Sequence, residues 1–210
     1  MGLFDLDDRL SWRQAAEFLG VSMSAFFRLV EKGEVVRMSK RTGRMITLSD
    51  LLDEIGVDAA RFFFNLRKSD THFDFDIDLS VAKTNQNPVY YVQYAHARIC
   101  SILSVLRSEG IDPDKCVKSV NYTEPAEKAL INNLASYADE LVKTAADYDV
   151  SRINKYTIDV ASAFHGFYND CRVKVEDESV MYSRIALVKA TKTVLENALA
   201  VLKVTAPEKM

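Results

Sequence analysis

Cysteine is scarce in this chain: Cys100, Cys116 and Cys171 are the only three in 210 residues. None stands in a Cys-x-x-Cys spacing or beside clustered histidines. Neither a metal site nor a disulfide framework is expected, and a reducing, cytoplasmic location fits. No run of about 18 apolar residues occurs, so no segment is expected to span a membrane. Residues 1–8 hold three Asp and no apolar stretch, which is unlike a secretory signal peptide. Positive charge is not in excess either: 27 Lys and Arg stand against 30 Asp and Glu, a net charge of −3. That argues against wholesale coating of nucleic acid, but it leaves room for a local basic patch. There is no internal repeat and no low-complexity segment. What remains is 48% hydrophobic and 27% charged, the make-up of an ordinary globular chain with one large domain or two small ones.

The most informative stretch runs from Asn85 to Cys100. A polar loop leads to Asn87-Pro88, a helix start: Asn caps free N–H groups, and Pro fits the first turn, where its missing N–H costs nothing. Val92, Ala95, Ile99, Ile102, Leu103 and Leu106 recur at spacings of three and four, so one stripe of this helix faces a core. Tyr91, Tyr94 and Arg98 share a neighbouring face. Three tyrosines in five residues (Tyr90, Tyr91, Tyr94), beside His96 and Arg98, read either as half-buried packing with wet hydroxyls or as a platform for an unstacked base.

Before this stretch, residues 11–22 resemble an excisionase-type helix-turn-helix, with the Ala15-Ala16 pair for close packing and Gly20 in the turn. Its second helix would offer Ser24, Arg28 and Lys32 to a DNA groove, a thin set; a plain helical hairpin is an equal reading. Four cations then fall between Arg37 and Arg44, either a solvated loop or a phosphate-handling one. No Walker pattern is present. Helices are expected over 50–55, capped by Thr47 or Ser49, and over 58–66, with Gly56 between them. In the second, Phe62, Phe63 and Phe64 read as core, and Arg61 and Arg67 as solvated or phosphate-facing. Residues 72–79 alternate strictly between apolar and polar, which predicts a short extended segment with Asp74, Asp76 and Asp78 on a solvated face. After residue 107 a polar connection with Gly110, Pro113 and Pro125 precedes three long amphipathic helices, about 126–148, 151–171 (capped by Ser151) and 180–204. The stripe of the first is Leu130, Leu134, Tyr137, Leu141 and Ala145. Short loops between long helices imply antiparallel neighbours. Pro207 marks the end of helix. His96 and His165 have no nucleophile within a defensible spacing and read as satisfied or exposed histidines, so no catalytic constellation is visible.

Several blocks occur here in one order: 36–43, 57–66, 72–79, 87–101 and the 206–210 end. Together they resemble arginyl-tRNA synthetase over about residues 34–210. Arg37-Met38-Ser39-Lys40-Arg41 is similar to the class I signature loop Lys-Met-Ser-Lys-Ser, with Arg replacing the first Lys and the last Ser. The resemblance implies that Met38, Ser39 and Lys40 bind ATP, with Lys40 neutralising its phosphates during Mg-dependent arginine activation. It also implies a mainly α fold: an all-helical DALR anticodon-binding bundle over 85–210, a remnant of the catalytic domain with a short strand over 34–84, and an unrelated helix-turn-helix-like segment over 1–33. The anticodon of arginine tRNA would then meet Lys83, Thr84, Asn85, Gln86 and Asn87, with Tyr91, Ala95, Arg98 and the last residue, Met210. The small side chain of Ala95 would leave room for a base, and Met210 would neighbour Tyr91. The family's His-x-Gly-His motif is absent, since His72, His96 and His165 are far apart in sequence. The chain is therefore expected to be inactive alone as a ligase, and to be a monomer. The alternative is a DNA-binding regulator using residues 10–44, with the bundle as a dimerising domain.

Overall fold

A computed structural model describes residues 47–68, 75–115 and 122–210. The helix-turn-helix expectation over residues 10–44, the Met38-Ser39-Lys40 loop and the first part of the 72–79 alternation lie outside these residues. The described residues form eight helices and no strand. They are α1 (Leu48–Ile55), α2 (Val57–Asn65), α3 (Ile77–Val81), α4 (Pro88–Ser108), α5 (Pro125–Ala135), α6 (Tyr137–Asp147), α7 (Ser151–Asp170) and α8 (Glu178–Leu202).

Local chemistry sets most of the boundaries. Thr47 caps α1 through a reciprocal capping box with Asp50, and Gly56, at φ 81, takes the left-handed turn into α2. Asp177 caps α8 with its carboxylate on the N–H groups of Ser179 and Val180. Three expectations give way to local hydrogen bonds. The alternating segment does not continue as an extended strand: Asp76 accepts from the Leu79 N–H at 2.9 Å and starts the short helix α3. The single helix expected over 126–148 is two, meeting at Ser136, whose hydroxyl donates to the Asn133 carbonyl at 2.9 Å, where the Tyr156 hydroxyl of α7 also donates at 2.9 Å. Beyond that break Ala145 is exposed rather than on the core stripe. Ser151 does not cap α7 either; Asp149 does the equivalent work, accepting from the Ser151 N–H at 3.1 Å and its hydroxyl at 2.5 Å.

Helix α7 is the hub, packed against α5, α8, α4 and α6. Its Ile153, Val160, Ala161, Phe164 and Phe167 are fully buried beside Val92, Ile99, Leu130, Val188, Leu195 and Leu199 from its neighbours. Each large side chain so buried contributes on the order of 1.5–3 kcal/mol before entropy is counted. Phe62 and Phe63 of α2 join this core, whereas Phe64 is 46% exposed. Asn154, fully buried on α7, donates to the Phe62 carbonyl at 2.7 Å and ties α2 to the hub. Arg61, read from sequence as a solvated or phosphate-facing edge, is exposed and also donates to the Lys203 carbonyl at 2.7 Å, just past the end of α8. Antiparallel packing holds for α8 against α4: Thr205 meets Gln93 near the start of α4, while Lys189 meets Asp114 beyond its end. α4 and α7 are separated in sequence by α5 and α6, and they run in the same sense. Tyr91 meets His165, Arg98 meets Tyr168, and Glu109 meets Lys174.

Candidate nucleic-acid interface

The start of α4 is fixed by one buried side chain. Asn87 is 3% exposed. Its amide oxygen accepts from the N–H groups of Val89 (3.2 Å) and Tyr90 (3.4 Å). Its amide nitrogen donates to the carbonyls of Ser80 and Ala82, each at 2.9 Å. Both donors and both acceptor positions are spent, so Asn87 has nothing left to offer a base. It positions the site and does not read from it. Lys83, Thr84, Asn85 and Gln86, the residues just before it, are all exposed above the first turn of α4.

Three tyrosines follow on that turn and the next. Tyr91 packs against the core with part of its ring open, and it lies 4.8 Å from the ring of His165 on α7. Tyr90 and Tyr94 are stacked at 6.0 Å with an angle of 7° between their planes, and Tyr94 stacks in turn on His165 at 6.1 Å. Arg98 donates to the Tyr94 hydroxyl at 3.2 Å, and its guanidinium carbon sits 4.7 Å over the ring of Tyr168. This is a cation–π contact that fixes the plane of a charged group at the surface. Burial holds the His165 pKa below its usual value, the Arg98 charge lowers it further, and a hydrogen bond to the Tyr91 backbone acts the other way. The cluster thus pairs an uncharged imidazole with a fixed guanidinium.

Past Arg98 a groove of about 600 Å³ lies between α4 and residues 168–174, lined by Arg98, Ile102, Glu109, Tyr168, Arg172 and Lys174 among others. The geometry suits single-stranded nucleic acid: polar loop groups and ring faces at one end, cations along the other.

Two expected members of the site lie elsewhere. Ala95 is fully buried, its methyl group used in the core between α4 and its neighbours, so its small size leaves no room for a base. The tail after α8 turns back at Lys203 (φ 56) and runs down the opposite side of α4. There Gln93 donates to the Thr205 carbonyl at 3.0 Å, and His96 meets the Pro207 carbonyl at 2.8 Å. Glu208 and Lys209 line a second cavity with Cys100 and Lys192. Cys100 lies about 14 Å further along the axis than Tyr91 and on the other side of the helix. The structure therefore gathers Lys83–Gln86 with Tyr91 and Arg98, and it does not bring Met210 to them.

His165, Tyr168 and Arg172 were not read from sequence as site residues. A signal for the first two was present: His165 and Tyr168 repeat on α7 the i, i+3 spacing of Tyr91 and Tyr94 on α4, while Arg172 follows past the end of α7.

The DALR anticodon binding domain family matches residues 92–210 of this chain. An arginine–tRNA ligase of Acetivibrio thermocellus is 53% identical over 196 residues, covering 91% of this chain and 34% of the relative. That of Caldanaerobacter subterraneus subsp. tengcongensis is 52% identical over 195 residues, with the same coverage of 91% and 34%. A solved Campylobacter jejuni chain assigned as an arginyl-tRNA synthetase shares the fold with a TM-score of 0.72 at 30% identity, over 85% of this chain and 38% of that one. The chain spans about a third of the length of the curated relatives it matches.

Proposed function

The chain belongs to the DALR anticodon binding domain family, and from that premise we propose that it binds the anticodon region of arginine tRNA as the anticodon-recognising part of an arginine–tRNA ligase. The observation that carries the reading is the exposed loop Lys83, Thr84, Asn85 and Gln86 set above Tyr91 on the first turns of α4, beside the fixed guanidinium of Arg98. Anticodon bases are unstacked, so their faces and edges are open to aromatic rings and loop polar groups. Arg98 holds the strand in register without specifying it. Aminoacylation itself, with the ATP and Mg that the signature-loop resemblance implies, is assigned to a longer ligase; Met38, Ser39 and Lys40 are the residues here that would meet ATP phosphates. Such a protein works in the cytoplasm, and no described helix is long and apolar enough to cross a membrane. The DNA-binding alternative rests on residues outside the described ones and gains nothing from the relatives.

A titration of arginine tRNA against the chain tests the reading. Tyr91→Ala should weaken binding by about 1–3 kcal/mol, the range for losing one base stack. Unchanged affinity would remove Tyr91 from the interface, and equal affinity for a tRNA with an unrelated anticodon would remove the recognition.

A further inference from the structure

Tyr91, Tyr94 and Arg98 of α4 mesh with His165 and Tyr168 of α7 as a ladder. Tyr91 and Tyr94 close on His165, and Arg98 closes on Tyr168. Just past the end of α7, after the extended Cys171, comes Arg172, whose side chain is exposed at the edge of the groove. Its backbone carbonyl is anchored by Arg184 at 2.7 Å, so the position is held while the guanidinium is left outside. Lys174 borders the same groove and pairs with Glu109 at 2.9 Å. Neither Arg98 nor Arg172 forms an ion pair with any described residue. In a chain of net charge −3, these two guanidiniums leave the groove locally positive, since Glu109, which also lines it, is already paired with Lys174.

Guanidinium groups match phosphate in shape and charge, and a pair of them along a groove follows a charged backbone better than it follows a single anion. The ring end of the ladder offers stacking faces, and the arginine end offers none that is free, since the Tyr168 ring is already covered by Arg98. Bases therefore belong at one end and backbone at the other. We propose that the groove between α4 and residues 168–174 holds the phosphate backbone of the RNA strand whose bases meet the loop and Tyr91, with Arg172 as a phosphate ligand and Tyr168 as the residue that positions Arg98. This rests on the reading of the chain as an anticodon binder, and it assigns a second, sequence-independent contact to that face.

The two contacts respond differently to salt and to base identity. The full chain is titrated by fluorescence anisotropy with a labelled anticodon stem-loop of arginine tRNA, and with the same stem-loop carrying substituted anticodon bases, from about 50 to 200 mM KCl. Arg172→Gln should weaken both RNAs equally. It should also flatten the slope of log affinity against log salt by about 0.7, the value for one phosphate contact on a single strand. Arg172→Lys should keep the slope. Tyr91→Ala should keep the slope and narrow the difference between the two RNAs. An unchanged slope in Arg172→Gln, with Tyr91→Ala still weakened, would overturn the groove assignment and leave the anticodon reading standing. Failure of the unaltered chain to bind either RNA would overturn both.

Discussion

His165 is placed where a charge would be costly: half-buried, against two tyrosine rings, and near Arg98. Desolvation and that neighbouring charge both lower its pKa from the ordinary 6.5. Between the folded and unfolded values the folded state therefore binds fewer protons than the unfolded one. Its contribution to stability is complete above about 6.5 and is lost as the pH falls from there toward the lower folded value. The urea midpoint should drop between about pH 7 and pH 5, and His165→Gln should shrink the drop. That window lies above the range where the lowered carboxylates Glu196, Asp114 and Asp149 begin to lose theirs. An equal drop in the variant would mean that other groups carry it. From sequence this residue looked merely satisfied or exposed. A ring's partners on another helix cannot be seen in its own neighbourhood, and only the i, i+3 spacing of two rings, repeated on two separate helices, hinted at the pairing.

At the scale of elements, α4 depends on Asn87 in two ways that a variant pair can separate. Asn87→Ala removes the N-cap, worth about 1 kcal/mol, and strands the carbonyls of Ser80 and Ala82, each a further cost of about 1 kcal/mol or more if no water reaches it. Asn87→Ser keeps a neutral cap acceptor and gives up the two amide donors. Urea denaturation should show a loss of about 2–3 kcal/mol for Ala and a smaller one for Ser; equal losses would mean that the cap contributes nothing. This helix start was legible because cap, proline and apolar period all agree within a few residues. The break at Ser136 was not. Leu134, Tyr137 and Leu141 keep a helical spacing straight through it, while the Asn133 carbonyl takes two hydroxyls, that of Ser136 and that of Tyr156 on α7. In the same way alternation over 72–79 suggested an extended segment, until the Asp76 carboxylate capped a turn of helix. Periodicity reports which residues face inward; it does not report where a polar side chain finds a better local partner.

For the molecule as a whole, the last six residues add ties among α2, α4 and α8 to those that the bundle makes. The Thr205 N–H and hydroxyl both donate to Asp58 of α2, and Gln93 of α4 donates to the Thr205 carbonyl. His96, fully buried, faces the Pro207 carbonyl at 2.8 Å on one ring nitrogen and Glu196 at 3.1 Å on the other, so it links the tail to α4 and α8. The family resemblance led us to expect the chain end beside Tyr91; the turn at Lys203 sends it down the other side of α4, a register set by these distant bonds and invisible in the tail's own sequence. Ending the chain at Val204 would leave a ring nitrogen of His96 without its acceptor and Asp58 without two donors, a loss of about 2–4 kcal/mol. The loss should be uneven. Hydrogen exchange should quicken in α2 and in the first half of α4, which the tail ties together through Asp58, Thr205 and Gln93. It should stay slow in α7, whose Ile153, Val160, Phe164 and Phe167 are buried by α4, α5 and α8 independently of it. Uniform acceleration across α7 would show that the tail supports the whole core, and unchanged exchange in α2 would show that Asn154 and Arg61 suffice to hold that helix in place.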